Sequence, residues 1–157
     1  MKLATLALID TGERVLFGEK KRGEIGTGKR NGPGGKLEPG ETLLECIVRE
    51  AREELKIELD PAALTHVAVV TFFSAGEPDF KVHVYWTDTF TGEPTETVHM
   101  IPHWHERKNL PFHLMHDGDW TWLPTALNQE KFNAHVYFSG RAEGWIDTQF
   151  FDYDPTL

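Results

Sequence analysis

The chain predicts an α+β fold, and three observations lead there. Runs rich in Val, Thr and aromatic residues come in pairs separated by Gly, Pro and Asp turns, as hairpins do. From Leu43 onward, aliphatic residues recur at helical spacing on one face only, so this helix should pack against a sheet. A second helical stretch, 120–129, comes late in the chain. With 157 residues and 39% hydrophobic content, there is enough apolar material for one domain with its own core.

In chain order, residues 2–9 read as a buried strand, and Asp10-Thr11-Gly12 turns the chain into a second strand at 14–20. A basic, glycine-spaced loop follows, ending in Asn31-Gly-Pro-Gly-Gly35; glycines there let the backbone approach a ligand closely. Thr42-Leu-Leu-Glu45 forms a capping box, which starts the helix near Leu43. Leu44, Ile47, Val48, Ala51 and Leu55 make up its expected core face. Beyond it, Asp60-Pro61 opens a turn, 64–74 and 81–90 pair around Gly76-Glu-Pro78, and 92–97 is a polar loop. A short strand at 100–105 precedes Leu110-Pro111-Phe112. Then comes the helical stretch 120–129, with Pro124 in its first turn, and strands at 136–139 and 145–153 close the chain.

On the helix, Glu50, Glu53 and Glu54 stand at i, i+3 and i+4, away from the aliphatic face. Like charges so close repel one another, and hard oxygen donors at this density suit Mg²⁺ or Mn²⁺. An acidic helix face taken alone is ordinary solvated surface. The surroundings decide otherwise. From Gly35 the chain reads Gly, five residues, Glu41, seven residues, Arg49-Glu50, Ala51, one residue, Glu53-Glu54, and then Ile57.

That spacing resembles the Nudix box, GX5EX7REUXEEXGU, in every defining position but one. Lys56 stands where the family has the glycine that ends the helix in a left-handed turn; a lysine there costs on the order of 1 kcal/mol or forces another ending. The stretches RVLFGEKKRG, NGPGGKLEPGE, GEPDFKVHVYWTD, LPF, WLP and KFNAHVYFSG extend the likeness over most of the chain, toward the MutT-type oxidised purine nucleoside triphosphatases. The resemblance implies an α/β/α sandwich around a mixed β-sheet, and metal-dependent hydrolysis of a nucleoside triphosphate such as 8-oxo-dGTP to monophosphate and pyrophosphate. It implies metal positions at Gly34, Gly35, Glu50, Glu53 and Glu54, with Arg49 orienting the glutamates and Glu53 or Glu54 acting as base. A fourth metal-side glutamate of the family aligns with His99, so Glu96, His99 itself or water fills that role. Lys20 falls on the phosphate side, and Lys36 is a further substrate-binding candidate. Thr5, Asn31, Phe72, His116, Asp117 and Asp119 fall on the nucleotide pocket. There His116 replaces a stacking Trp and Gly118 replaces one of two adjacent carboxylates. Asp117 and Asp119 read equally as caps for the second helix.

The formal net charge of −9 leaves no basic stripe for long nucleic acid, so the expected partner is a small nucleotide bridged by metal. No apolar run reaches the roughly 20 residues of a membrane span, and the N-terminus lacks a signal-peptide pattern. Cys46, the single cysteine, fits a reducing compartment, so a cytoplasmic monomer or homodimer is expected. Undamaged dGTP or a nucleotide sugar are the alternative substrates, and a non-catalytic nucleotide-binding module is the alternative class.

Overall fold

The computed structural model describes residues 1–23 and 25–157. Its centre is a mixed sheet. Strand β1 (Lys2–Asp10) lies parallel to β6 (Glu77–Thr87), and β5 (Thr65–Ser74) lies antiparallel to β6 and parallel to β8 (Phe132–Phe138). On one side β2 (Arg14–Lys20) carries the short β3 (Arg30–Asn31) and β7 (Met100–Glu106). On the other, β9 (Trp145–Phe151) closes the sheet against β8. Strand β4 (Gly34–Lys36) pairs antiparallel with β1, so the glycine loop is stitched to the sheet rather than left as an open turn.

The two faces carry different layers. Helix α1 (Leu43–Leu55) packs Ile47, Ala51 and Leu55 against Ala7, Ile9, Leu16, Tyr85 and Met100. The opposite face holds Leu6, Leu8, Phe17, Val70 and Val84 beneath Trp122, Leu123 and Leu127, the last two on helix α2 (Leu123–Leu127). Helices thus cover both sides of a mixed sheet, as the sandwich requires.

Helix α1 begins as its sequence requires: Thr42 Oγ1 accepts from the Glu45 N–H at 3.1 Å, and Glu45 Oε1 accepts from the Thr42 N–H at 3.0 Å. Its core face is rotated from the expected one. Leu44 is exposed and Cys46 is buried instead, because β1 and β4 approach from the Cys46 side. Lys56 keeps the left-handed ending without glycine, at φ 58° and ψ 34°, with its N–H donating to the Arg52 carbonyl.

Elsewhere several boundaries move. The hairpin turn is tighter than expected, so Pro78 lies inside β6, which stops at Thr87. Strand β8 starts four residues earlier than its apolar run, since Phe132, Ala134, Val136 and Phe138 alternate with Asn133, His135 and Tyr137. The 120–129 helix is instead a 3-10 turn at Asp119–Thr121 followed by the five-residue α2. Among the described residues, no helix is long and apolar enough to cross a membrane.

A lysine in the left-handed region carries a steric cost that glycine avoids, partly offset by glycine's larger unfolded-state entropy. Lys56→Gly should therefore raise unfolding stability by roughly 0.5–1 kcal/mol in denaturant titrations. Equal or lower stability would show that the turn is unstrained.

Candidate active site

The site grows from the contact between the glycine loop and α1. A Cβ at Gly34 would come within 2.0 Å of the Thr5 carbonyl, and one at Gly35 within 2.7 Å of Glu50 Oε1. Only residues without side chains let the loop lie this close to both β1 and the helix carboxylates. The Gly34 N–H then donates to Glu54 Oε1 at 2.8 Å. Cys46 seals the back of the loop: its thiol donates to the Gly35 carbonyl at 3.4 Å and meets Thr5 Oγ1 at 3.3 Å. Burial pushes this thiol up to about 11, so it is an uncharged packing group.

Arg49 organises the carboxylates. Its Nε and Nη2 grip Glu41 at 2.6 and 2.9 Å, Nη1 donates to Glu50 at 3.0 Å and Glu53 at 3.1 Å, and Nη2 also reaches the Lys36 carbonyl at 3.2 Å. This grip holds Glu41 down at about 2. Glu41 is a motif residue whose role the sequence left unassigned, and it proves to be the main anchor of the arginine.

The three helix carboxylates differ in environment. Glu53 is exposed, Glu50 is partly buried and raised by that burial, and burial pushes Glu54 up to about 8 despite its bond from Gly34. Among the described residues, no three acidic, His or Cys side chains converge as a closed metal cage, because Arg49 and the Gly34 amide draw the carboxylates aside. The donor set nevertheless suits a hard divalent cation: several carboxylate oxygens share one arginine, and a half-buried Glu54 lacks a full counter-charge. Glu96 is placed differently from a member of this cluster. It is exposed and forms an ion pair with Lys21 at 2.7 Å.

A cavity of about 630 Å³ opens on the α2 side of the sheet and shares the glycine loop as a wall. Thr5, Lys20, Asn31, Lys36, Phe72, His116 and Asp119 all line it, although the Thr5 hydroxyl is turned to Cys46. Asp117 does not line it. Its carboxylate accepts from the Trp145 N–H at 2.8 Å, tying the loop before the 3-10 turn to β9. Neither Asp117 nor Asp119 caps the following turns.

Lys2, Ser74, Asp79, Phe80, Phe138 and Arg141 also line the cavity; Asp79, Phe80 and Phe138 lie in stretches that carry the family likeness, but sequence reasoning assigned no role to any of the six. Trp122 Nε1 is buried there against Asp119, whose carboxyl it pulls downward against the larger effect of burial, though it makes no short hydrogen bond among the described residues. Burial pushes Asp119 up to about 8 and drops His116 to about 4, so near pH 7 the first is a neutral acid and the second a neutral imidazole. Asn31 Oδ1 accepts from the Gly32 N–H at 3.0 Å, which leaves its Nδ2 donors for other partners.

The family model of the NUDIX domain matches residues 2–126. The chain belongs to the NUDIX family. A Danio rerio protein named oxidized purine nucleoside triphosphate hydrolase is 38% identical over 140 residues, covering 88% of each chain. The Mus musculus protein of the same name is 38% identical over 138 residues, covering 87% of this chain and 86% of its own. The crystal structure of a MutT protein from Bacillus halodurans superposes with a TM-score of 0.78, covering 96% of this chain and 97% of that one. At 20% identity that likeness speaks for the fold alone. This chain is thus a Nudix hydrolase, and Nudix hydrolases in general need divalent metal ions.

The folded protein keeps the Asp119 proton up to about pH 8, whereas the unfolded chain releases it near 3.8. Stability should therefore fall as pH rises between those values. Asp119→Asn should flatten that slope in thermal melts taken across the range. An unchanged slope would mean that Asp119 is ionised in the fold.

Proposed function

We propose that this Nudix protein hydrolyses oxidised purine nucleoside triphosphates, 8-oxo-dGTP among them, to the monophosphate and pyrophosphate. The observation that carries the reading is a single cavity running from the glycine loop to a buried set of hydrogen-bond donors. Asp119 as a neutral acid and Asn31 Nδ2 offer O–H or N–H groups to a base rich in carbonyl oxygen. Phe72 and Trp122 supply the apolar and aromatic cover that a purine face needs. Lys2, Lys20 and Lys36 line the same space in a chain of net charge −9, a local positive field that draws in a polyanion. The relatives that carry the oxidised-purine name agree with this reading.

Glu50, Glu53, Glu54 and the carbonyls of Gly34 and Gly35 would hold the cation, with Mg²⁺ or Mn²⁺ preferred because every donor is oxygen. Bound there, a divalent ion supplies neutralisation of phosphate charge and an acidified water. The protein's own part is placement. Arg49 fixes Glu50 and Glu53 relative to the loop, and Lys20, whose charge also acts on Glu54, meets the phosphate chain. Between the two candidate bases we favour Glu54. It is oriented through one oxygen by the Gly34 N–H beside the loop, whereas Glu53 is exposed and held by Arg49. A buried, unpaired Cys46 suits the reducing cytoplasm as the place of action.

Comparing kcat/KM for 8-oxo-dGTP, 2-oxo-dATP, dGTP, the pyrimidine triphosphates and a nucleotide sugar tests the substrate. Oxidised purines should lead, and Asp119→Ala should lose about ten-fold or more on the best of them. Equal efficiency on purines and pyrimidines, or a preference for the sugar conjugate, would refute the assignment. Chelation should abolish turnover, and Glu54→Gln should cut kcat by about two orders of magnitude or more with the fold intact. Wild-type rates in that variant would remove Glu54 from the chemistry.

A further inference from the structure

An α-helix leaves its last carbonyls without intrahelical partners, and its final turn frays unless something outside the helix answers them. In α1 that turn carries Glu54, one residue before the helix ends at Leu55. The hydrogen bonds of Arg49 go to Glu41, Glu50, Glu53, Cys46 and the Lys36 carbonyl, so Glu54 depends on other anchors. The Gly34 N–H holds its carboxylate. We propose that Thr97 holds its backbone, and that Thr97 is thereby a positioning residue for the carboxylate that acts as base. The proposal rests on the reading of Glu54 as base and cation ligand.

The segment 92–99 lies across the end of α1. The Thr95 N–H donates to the Leu55 carbonyl at 3.0 Å, and Thr97 Oγ1 donates to the Glu54 carbonyl at 2.8 Å. The helix's own closing bond, from the Lys56 N–H, goes to Arg52 and does not reach Glu54. Thr97 Oγ1 also accepts from the His99 N–H at 3.1 Å and the Met100 N–H at 3.3 Å. A hydroxyl has one proton and two lone pairs, so its whole capacity is in use.

The main chain of Thr97 is committed as well. Its N–H donates to the Met100 carbonyl at 3.0 Å, and its carbonyl accepts from Lys21 Nζ at 3.0 Å. Lys21 follows the end of β2, and its own N–H donates to the His99 carbonyl at 2.9 Å. Met100 is buried in the core beneath α1, which fixes the hydroxyl from the sheet side. One side chain therefore joins the last turn of α1 to the start of β7 and, through Lys21, to β2. A base works only when it is placed within a fraction of an ångström of its proton, so loosening this turn should act on turnover rather than on substrate affinity.

Two substitutions separate the hydroxyl from the shape of the residue. Thr97→Val keeps the shape and removes all three side-chain bonds, whereas Thr97→Ser keeps them. At saturating Mg²⁺, Thr97→Val should cut kcat by about ten-fold or more on the best purine triphosphate, with KM nearly unchanged and the circular dichroism spectrum intact. Calorimetric titration with Mn²⁺, which needs no substrate, should show the same variant binding about ten-fold more weakly. Thr97→Ser should match the wild type in both measurements. Wild-type kcat or wild-type Mn²⁺ affinity in folded Thr97→Val, beside an inactive Glu54→Gln protein, would overturn this proposal alone. Equal losses in Thr97→Ser, or a raised KM at unchanged kcat, would overturn it too. A Glu54→Gln protein with wild-type turnover would remove Glu54 as base and the role of Thr97 with it.

Discussion

The guanidinium of Arg49 is the point on which the site depends. A planar cation with donors in a fixed fork can serve several carboxylates at once, which an ammonium cannot. Here it grips Glu41 through two bonds, touches Glu50 and Glu53, and reaches the Lys36 carbonyl. One positive charge thereby fastens the loop that follows β4 to the middle of α1. Glu38 lies within 3.6 Å as well, so the arginine is outnumbered. The excess of negative charge is what makes a divalent cation the natural complement of this cluster.

The sheet then decides where that charge is used. Strand β1 carries β4 on one edge and β6 on the other, so the glycine loop runs alongside Ala4, Thr5 and Leu6 in the first half of β1. Gly34 and Gly35 touch Glu54 and Glu50 on the helix side and line the cavity on the other. A nucleotide can therefore keep its base among Asn31, Asp119 and Trp122 while its phosphates lie along a wall shared with the carboxylates. Burial does the remaining work at the base end, since desolvation keeps Asp119 a neutral donor.

Much of this was legible in the sequence, and the exceptions have physical reasons. The capping box, the carboxylate spacing and the apolar strand runs are local signals, and they placed α1 and most strands closely. The short strands β3 and β4 were missed because glycine-rich segments have no side-chain pattern, and they become strands only by pairing with β2 and β1. The second helix was overdrawn because Trp122 and Leu123 are apolar for the sake of the sheet they cover, not for helical periodicity. Asp117 and Asp119 stand two apart with the same chemistry nearby, yet one ties down β9 and the other enters the cavity; Gly118, at φ 85°, separates their directions. The role of Glu41 could be read only once its distance to Arg49 was known, and Asp79 and Arg141 meet at the cavity rim only through the fold.

The most direct test is to titrate Mn²⁺ calorimetrically into the wild-type protein and into Arg49→Lys, with the fold of each checked by circular dichroism. If one guanidinium positions the helix carboxylates for a cation, the lysine variant should stay folded and bind Mn²⁺ about ten-fold or more weakly. Unchanged Mn²⁺ affinity in the folded variant would contradict the account, because the carboxylates would then find their places without the arginine.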